Sequence, residues 1–112
     1  MRPPVLNRRL VLETHLREED GAGGYVDYWL PMGTLWTEVR AGTGRERDGP
    51  GVPVGRVAYR IIVPAALPGA LDRPRPDQRL REGARIFRIH AVAEHDRRGA
   101  YLCCFCEEEE PA

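Results

Sequence analysis

The sequence predicts an all-β fold, a small antiparallel β-barrel or sandwich of about six strands. Three observations predict it. Apolar and polar residues alternate with period two along most of the chain, which is typical of half-buried strands. Glycine-rich and proline-rich stretches separate the alternating runs, and no stretch has the period of an amphipathic helix. The 112 residues suffice for one small domain, which we place over residues 1–112.

The first half of the chain predicts a hairpin and a further strand. Leu10, Leu12 and Leu16 alternate on one face of the first strand. The glycine-rich stretch 18–24 predicts a turn, because glycine tolerates the positive φ angles of tight hairpins. Pro31 interrupts the returning strand, since proline cannot donate to a strand ladder. The strands predicted in this half are residues 8–17, 25–30 and 34–40.

The second half of the chain predicts a meander of short strands between turns. The strands predicted here are residues 55–63, 78–81, 84–93 and 101–107. Their alternation predicts that Phe87, Ile89, Ala91 and Ala93 point inward. It also places two further sets each on one face of a strand: Val57, Tyr59, Ile61 and Val63, and Leu102, Cys104 and Cys106.

Two connections and the chain end are predicted to lie outside the strands. Residues 41–53, after the third predicted strand, form a long loop that can hold one helical turn near residues 44–48. Residues 64–76 are proline-rich and irregular. Residues 107–112 begin with four glutamates, which predicts a solvated acidic C-terminal tail.

The charge composition excludes several kinds of function. The 17 basic residues balance 17 acidic ones, every basic residue is arginine, and the chain has no serine. This excludes a phosphate-loop lysine, a Schiff-base lysine and a serine nucleophile. Zero net charge also disfavours binding of nucleic acid through bulk charge. We therefore predict a protein without enzymatic activity, catalytic residues or cofactors.

The three cysteines indicate core packing rather than chemistry. Cys103, Cys104 and Cys106 lie within four residues, and strand alternation points the first two to opposite faces. A single metal ion therefore cannot easily take both, and a second cysteine pair is missing. His90 on the neighbouring predicted strand could approach a thiol, but the sequence supplies no oxyanion hole. We predict reduced, packed thiols and no metal site.

Two tryptophans and four tyrosines raise a nucleic-acid alternative. Single-strand binders stack bases on aromatic side chains within a basic groove, and a small β-barrel is a common platform for them. Tyr25 and Trp29, however, share a face with Asp27, whose charge repels phosphate. A single-stranded nucleic-acid-binding module stays the alternative function.

We expect no membrane span and no secretory signal, since the longest uncharged apolar stretch, residues 61–71, is interrupted by prolines.

The order of the motifs resembles the phage head–tail adaptor family, also called head-completion or stopper proteins. The opening run NRRLVLE, the turn DGAGG and the stretch LWTEVRAGTGRE carry the first half of the resemblance. The late segment REGARIFRIHAVAEHDRRGAYLCCFCEE resembles the family's glycine turn, aromatic-isoleucine strand, acidic turn and final strand. The resemblance extends from Asn7 to Glu108.

This resemblance implies a β-barrel that assembles as a homo-oligomeric ring of six or twelve copies in a tailed phage, prophage or gene transfer agent. The ring would join portal and adaptor proteins to the tail terminator or tail tube proteins, assemble in the bacterial cytoplasm, and surround packaged double-stranded DNA in a channel. The loop at residues 41–53 would face that channel or a neighbouring subunit. Its candidate contact residues are Arg45, Glu46, Arg47 and Asp48. The sequence Asp48–Gly51 departs from family members that have a clearer helix here.

Overall fold

The structure is a computed structural model that describes residues 2–42 and 57–110. The described part of the chain forms six antiparallel strands and no helix. The strands close into a barrel in the order β1-β2-β3-β6-β5-β4, which confirms the predicted all-β fold. Their bounds are β1 Arg8–Glu19, β2 Tyr25–Ala41, β3 Ala58–Pro64, β4 Arg79–Glu82, β5 Arg85–Glu94 and β6 Tyr101–Glu108.

The predicted interruption of the returning strand is a β-bulge within one long strand. β2 continues from Tyr25 to Ala41, and the register with β1 shifts between Leu12 and Glu13. Leu12 is opposite Gly33 and Glu13 is opposite Pro31, so Met32 is the extra residue. Met32 packs against the core, and the bulge accommodates a proline without ending the strand.

The core fills the barrel from all six strands. Phe87 is fully buried in this core, with its ring edge against Tyr59 at a centroid distance of 5.1 Å. The residues that alternation grouped on one face of β1, β3 and β6 supply most of this interior. The buried cluster consists of Leu10, Leu12, Ile61, Val63, Leu80, Phe87, Ile89, Leu102, Cys104 and Cys106.

The predicted interior of β5 is wrong after Ile89. A bulge shifts the register between Ile89 and Ala91, so strict alternation fails from that point. Val92 packs against the core, whereas Ala93 is exposed. Val57, predicted to lie within a strand on the same face as Tyr59, instead precedes β3 and is 50% exposed.

Charged side chains close one end of the barrel. Arg8 forms a bidentate ion pair with Glu82, at 2.8 and 2.5 Å, and Arg85 forms another with Glu108, at 2.8 and 3.1 Å. The guanidinium of Arg85 also lies 4.9 Å from the ring centre of Phe87. The hydrogen bonds from Arg8 and Arg85 lower the pKa values of Glu82 and Glu108, respectively.

The expectation of a solvated acidic tail at residues 107–112 is corrected for its first three residues, whereas Glu110 is exposed and residues 111–112 lie outside the described residues. Glu107 and Glu108 belong to β6, and the Glu109 N–H donates to the Ile86 carbonyl at 2.8 Å. Glu107 also lies 3.1 Å from His90. The acidic run is therefore structured as far as Glu109, because arginine and histidine side chains on β5 face it across the ladder.

Candidate functional site

The most prominent feature of the surface is a two-stranded arm, residues 14–30. β4 pairs with β1 only at Val11, Leu12 and Glu13, and β3 pairs with β2 only from Glu38 onward. Among the described residues, the strands of the arm therefore pair only with each other. At about 3.3 Å per residue the arm extends about 20 Å beyond the barrel wall, which contributes to a longest dimension of 55 Å.

One face of the arm is apolar and continues the interior face of the barrel. Leu16 is opposite Tyr28, and Thr14 is opposite Leu30. Thr14 and Leu16 lie on the same face of β1 as Leu10 and Leu12. Beyond the barrel no sheet formed by the described residues covers this face, and Val26 is 51% and Leu30 41% exposed. Exposed aliphatic side chains on a projecting hairpin are typical of an interaction surface.

The tip of the arm is acidic, and side-chain hydrogen bonds hold its turn. Asp20 Oδ1 accepts hydrogen bonds from the Ala22 and Gly24 amides at 2.8 and 3.0 Å, and these two bonds lower the pKa of Asp20. Gly21 and Gly23 have positive φ angles of 79° and 86°, a conformation that favours glycine at both positions of the turn. Glu18 and Glu19, both exposed, precede the turn and give it a negative surface.

The outer face of the arm carries a row of charged and aromatic side chains. Asp27 Oδ1 lies 3.1 Å from Arg17 and 3.2 Å from His15, and the hydrogen bond from Arg17 lowers the pKa of Asp27. His15 packs against Trp29 with ring centroids 5.2 Å apart. The guanidinium of Arg79 lies 4.2 Å from the Trp29 ring centre. Trp29 is therefore already stacked within the chain, which does not favour the nucleic-acid alternative.

A buried carboxylate fixes the root of the arm to the barrel. Glu13, only 4% exposed, accepts hydrogen bonds from Arg79 at 2.7 Å and from Arg81 at 3.0 Å. Arg79 in turn covers Trp29, so β4 is tied to both strands of the arm. The orientation of the arm thus depends on one acidic side chain between two arginines.

A surface groove of about 540 Å³ lies on the opposite side of the barrel. Ala65–Pro68 form one wall, and Glu94, Arg98 and Leu102 around the β5–β6 turn form the other. Arg73 also lines the groove, held by its hydrogen bond to the Ala66 carbonyl at 2.6 Å. Leu67 is 80% exposed at the rim. The groove combines aliphatic walls with two cations and one carboxylate.

The N-terminal segment binds a second buried carboxylate. Glu38 on the outer face of β2 accepts the Val5 N–H at 2.7 Å and Arg2 Nη1 at 3.0 Å, and it also pairs with Arg40. Burial by itself would raise the pKa of Glu38. The hydrogen bonds from Val5, Arg40 and Arg2 outweigh burial and lower this pKa from an ordinary 4.5 to about 2.

We expect Glu38→Gln to lower the free energy of unfolding by about 2 kcal/mol at pH 7. Because the pKa is lower in the folded chain, Glu38 stabilises the fold above about pH 4.5, and this contribution disappears as pH falls toward 2. Urea unfolding between pH 7 and 2 measures it, and the two proteins should converge in stability near pH 2. Glu19→Gln, at an exposed position, is the control and should change little. A difference between Glu38→Gln and the native chain that persists at pH 2 would contradict this account.

The structure places the cysteines in the interior, as predicted. Cys104 and Cys106 face the core, and burial raises the pKa of the Cys104 thiol to about 12 and that of Cys106 well above its usual value. Cys103, on the other face of β6, is also buried, and burial raises its pKa. Thiols held protonated in this way are poor nucleophiles and poor metal ligands.

The loop contacts predicted from the sequence lie outside the described residues; they are Arg45, Glu46, Arg47 and Asp48. Within residues 2–42 and 57–110, no three histidine, cysteine or acidic side chains form a group that could hold a metal ion. A search of the same residues for a helix of sufficient length and hydropathy to cross a membrane found none.

Neither the arm nor the groove was identified as a site from the sequence. The alternation placed Val26, Tyr28 and Leu30 on one face, but it could not show that the barrel ends before them. The only available signal is length, since β1 and β2 have 12 and 17 residues whereas β4 has 4. The groove brings together residues 65–73 and 94–102, which the pairing of β3 with β6 makes neighbours.

Comparisons with known proteins agree with the resemblance seen in the sequence. The family model described as phage head completion protein matches residues 1–109. A chain in the solved virion of a native gene transfer agent particle is 56% identical, with a TM-score of 0.78, over 98% of this chain and 100% of that one. A protein from Shigella flexneri 2a, solved in solution, shares the fold at 22% identity and a TM-score of 0.71, over 96% of each chain. No curated protein matches the sequence.

Proposed function

This chain belongs to the phage head completion protein family, and we propose on that premise that it is a head–tail connector subunit of a phage-like particle. It is a structural protein and not an enzyme. Copies form a homo-oligomeric ring of six or twelve between the portal and adaptor proteins and the tail terminator or tail tube proteins. As a stopper, this ring helps to retain the packaged double-stranded DNA and to dock the tail.

The observation that carries the proposal is the arm, residues 14–30. A single copy leaves Val26 and Leu30 half-exposed on a face that is continuous with its own barrel interior. A hairpin of this kind is costly for a protein that acts alone, because exposed strands and aliphatic side chains promote aggregation. In a ring, a neighbouring subunit covers such a surface, and rotation closes the head-to-tail contacts.

The ion pairs support the role of a subunit that contacts other proteins and lets DNA pass through the channel. Arg8 and Arg85 pair with Glu82 and Glu108, and Glu13 binds two further arginines. Arginines engaged in this way contribute little free positive charge. A weakly charged channel lets DNA slide, whereas a strongly basic channel binds it and releases counterions.

The proposal extends to the segment between β2 and β3. Ala41 and Ala58 both lie at the barrel end closed by the Arg8 and Arg85 ion pairs, so this segment begins and ends there. We assign Arg45, Glu46, Arg47 and Asp48 as its contacts with the channel or with an adjacent subunit. This assignment derives from the family resemblance and from the charge of these residues.

We expect the double charge reversal Arg45→Glu and Arg47→Glu to reduce the yield of intact, DNA-filled particles while the purified chain stays folded. Replacing two positive charges with two negative ones changes the net charge by four units, and the new carboxylates would repel DNA or a neighbouring acidic surface. Electron microscopy of particles counts intact heads and joined tails, and it also asks whether the native chain lies at the head–tail junction. Thermal unfolding of the purified variant checks its fold.

The matched control is Arg45→Lys with Arg47→Lys, which keeps both charges and should give near-normal yields. Normal particle yields from the charge-reversed variant would disprove the role of these residues. Absence of the native chain from the head–tail junction would disprove the proposed function as a whole.

A further inference from the structure

We propose that the arm of one copy docks into the groove of the next copy, and that this contact closes the ring. The contact rests on the ring of the proposed function and specifies which surfaces form it. The arm is residues 14–30, and the groove is lined by Ala65–Pro68, Arg73, Glu94, Arg98 and Leu102. The occupant of the groove is therefore a second copy of this chain.

The first argument is the placement of the two surfaces around the barrel. In the closed order β1-β2-β3-β6-β5-β4, strand β1 lies opposite β6, and β2 lies opposite β5. The arm extends β1 and β2, whereas the groove lies at the turn between β5 and β6. Both also lie at the same end of the barrel. A head-to-tail ring contact requires two different surfaces on opposite sides of the subunit, at the same height along the barrel.

The second argument is that both surfaces carry aliphatic side chains that are exposed in the single chain. Val26 and Leu30 are 51% and 41% exposed on the arm, and Leu67 is 80% exposed at the rim of the groove. The groove, at about 540 Å³, is large enough for several side chains of a hairpin tip. Docking would remove these aliphatic side chains from water, which is the main favourable term in protein association.

The third argument is charge complementarity. The arm tip presents the exposed carboxylates of Glu18 and Glu19, and the groove presents Arg73 and Arg98. The groove also contains Glu94, whose Oε2 lies about 3.0 Å from where a Cβ on Gly99 would be, so this carboxylate is directed toward the β5–β6 turn. The acidic tip therefore meets two guanidinium groups and one carboxylate. Such pairs fix the register and orientation of an apolar contact.

Disulfide cross-linking within assembled particles tests this contact directly. A chain carrying both Ala22→Cys at the arm tip and Ala66→Cys in the groove is produced in cells that make the particles, and the particles are mildly oxidised. The native thiols are buried and should not contribute. We expect a ladder of oligomers of this chain on non-reducing gels. The control pairs Ala22→Cys with Ala84→Cys, an exposed position in the β4–β5 turn at the other end of the barrel, and should give no ladder.

Three results would overturn the proposal. If the chain is present in particles but forms no ladder, the ring of the proposed function can stand while the arm contact is wrong. If Ala22→Cys instead joins a different virion protein, the arm binds that protein and not a second copy. If mass spectrometry finds the native chain absent from particles, the proposed function fails and this contact fails with it.

A charge exchange keeps the proposal testable where the cysteine variants do not assemble. We expect Glu18→Arg with Glu19→Arg to lower the particle yield by about tenfold, since both new cations face Arg73 and Arg98. Adding Arg98→Glu should restore most of that yield. A yield that is unchanged by the first pair of substitutions, or not restored by the third, would contradict the docking of the arm in the groove.

Discussion

Replacing Phe87 with alanine should lower the free energy of unfolding by about 3–5 kcal/mol. Phe87 is fully buried in the barrel, where its ring packs edge-on against Tyr59 and lies 4.9 Å from the Arg85 guanidinium. Its removal leaves a cavity that six hydrogen-bonded strands cannot collapse to fill. It also removes the apolar surface beneath the Arg85–Glu108 ion pair. Denaturant unfolding of the purified chain measures the loss.

The chain offers a matched control for this prediction. Phe105→Ala makes the same chemical change on the outer face of β6, where the ring is partly exposed and lies 5.7 Å from the Arg60 guanidinium. We expect a loss of about 1 kcal/mol there. Equal losses for the two variants would show that the barrel interior is not the main source of stability.

Replacing Glu13 with alanine should cost about 2–3 kcal/mol, because it leaves two arginines at the arm root without their shared carboxylate. Glu13 bonds Arg79 at 2.7 Å and Arg81 at 3.0 Å. The Arg79 side chain is only 16% exposed and also covers Trp29, so water can replace the lost bonds only in part. Denaturant unfolding gives the loss in stability, and hydrogen exchange of the arm amides should rise more than that of β6.

Two further variants separate charge from packing at Glu13. Glu13→Gln keeps the volume of the side chain and one accepting oxygen. Its loss in free energy of unfolding should therefore be smaller than that of Glu13→Ala but greater than zero. Glu18→Ala, on the exposed part of the same strand, should cost less than about 0.5 kcal/mol. A Glu13→Ala variant that unfolds like the native chain, with unchanged exchange in the arm, would show that these ion pairs do not hold the arm.

The variants also connect the fold to the proposed function. A ring contact through the arm requires its direction to be fixed relative to the barrel, and Glu13 is the residue that ties the arm root to β4. A chain with a loosened arm would therefore fold and yet assemble poorly. Phe87→Ala, in contrast, should affect stability before assembly.

Local patterns predicted much of the barrel because strand alternation is a short-range property. The sequence placed Leu10 with Leu12, and Tyr59 with Ile61, on shared strand faces, and each of these faces lines the core. The same rule failed at Ala91 and Ala93, because one bulged residue reverses the facing of all that follow. A bulge depends on the register with the partner strand, which the sequence of one strand does not contain.

The acidic run at residues 107–110 shows the same limit for charge. Four consecutive glutamates predict repulsion and solvation when they are considered alone. In the barrel, Arg85 on the adjacent strand pairs with Glu108, and His90 on the same strand lies beside Glu107. Tertiary pairing thus reversed an interpretation that was sound for an isolated segment.

The sequence by itself determined that this protein is a small all-β domain without lysine or serine chemistry, with packed cysteines and the motif order of a head-completion protein. These properties follow from composition and from period-two alternation, and both can be read along one strand. Only the tertiary structure decided where the barrel ends and the arm begins, which carboxylate fixes the arm, and which residues form the groove. Those features depend on strand order and register, since barrel closure makes neighbours of residues far apart in the chain.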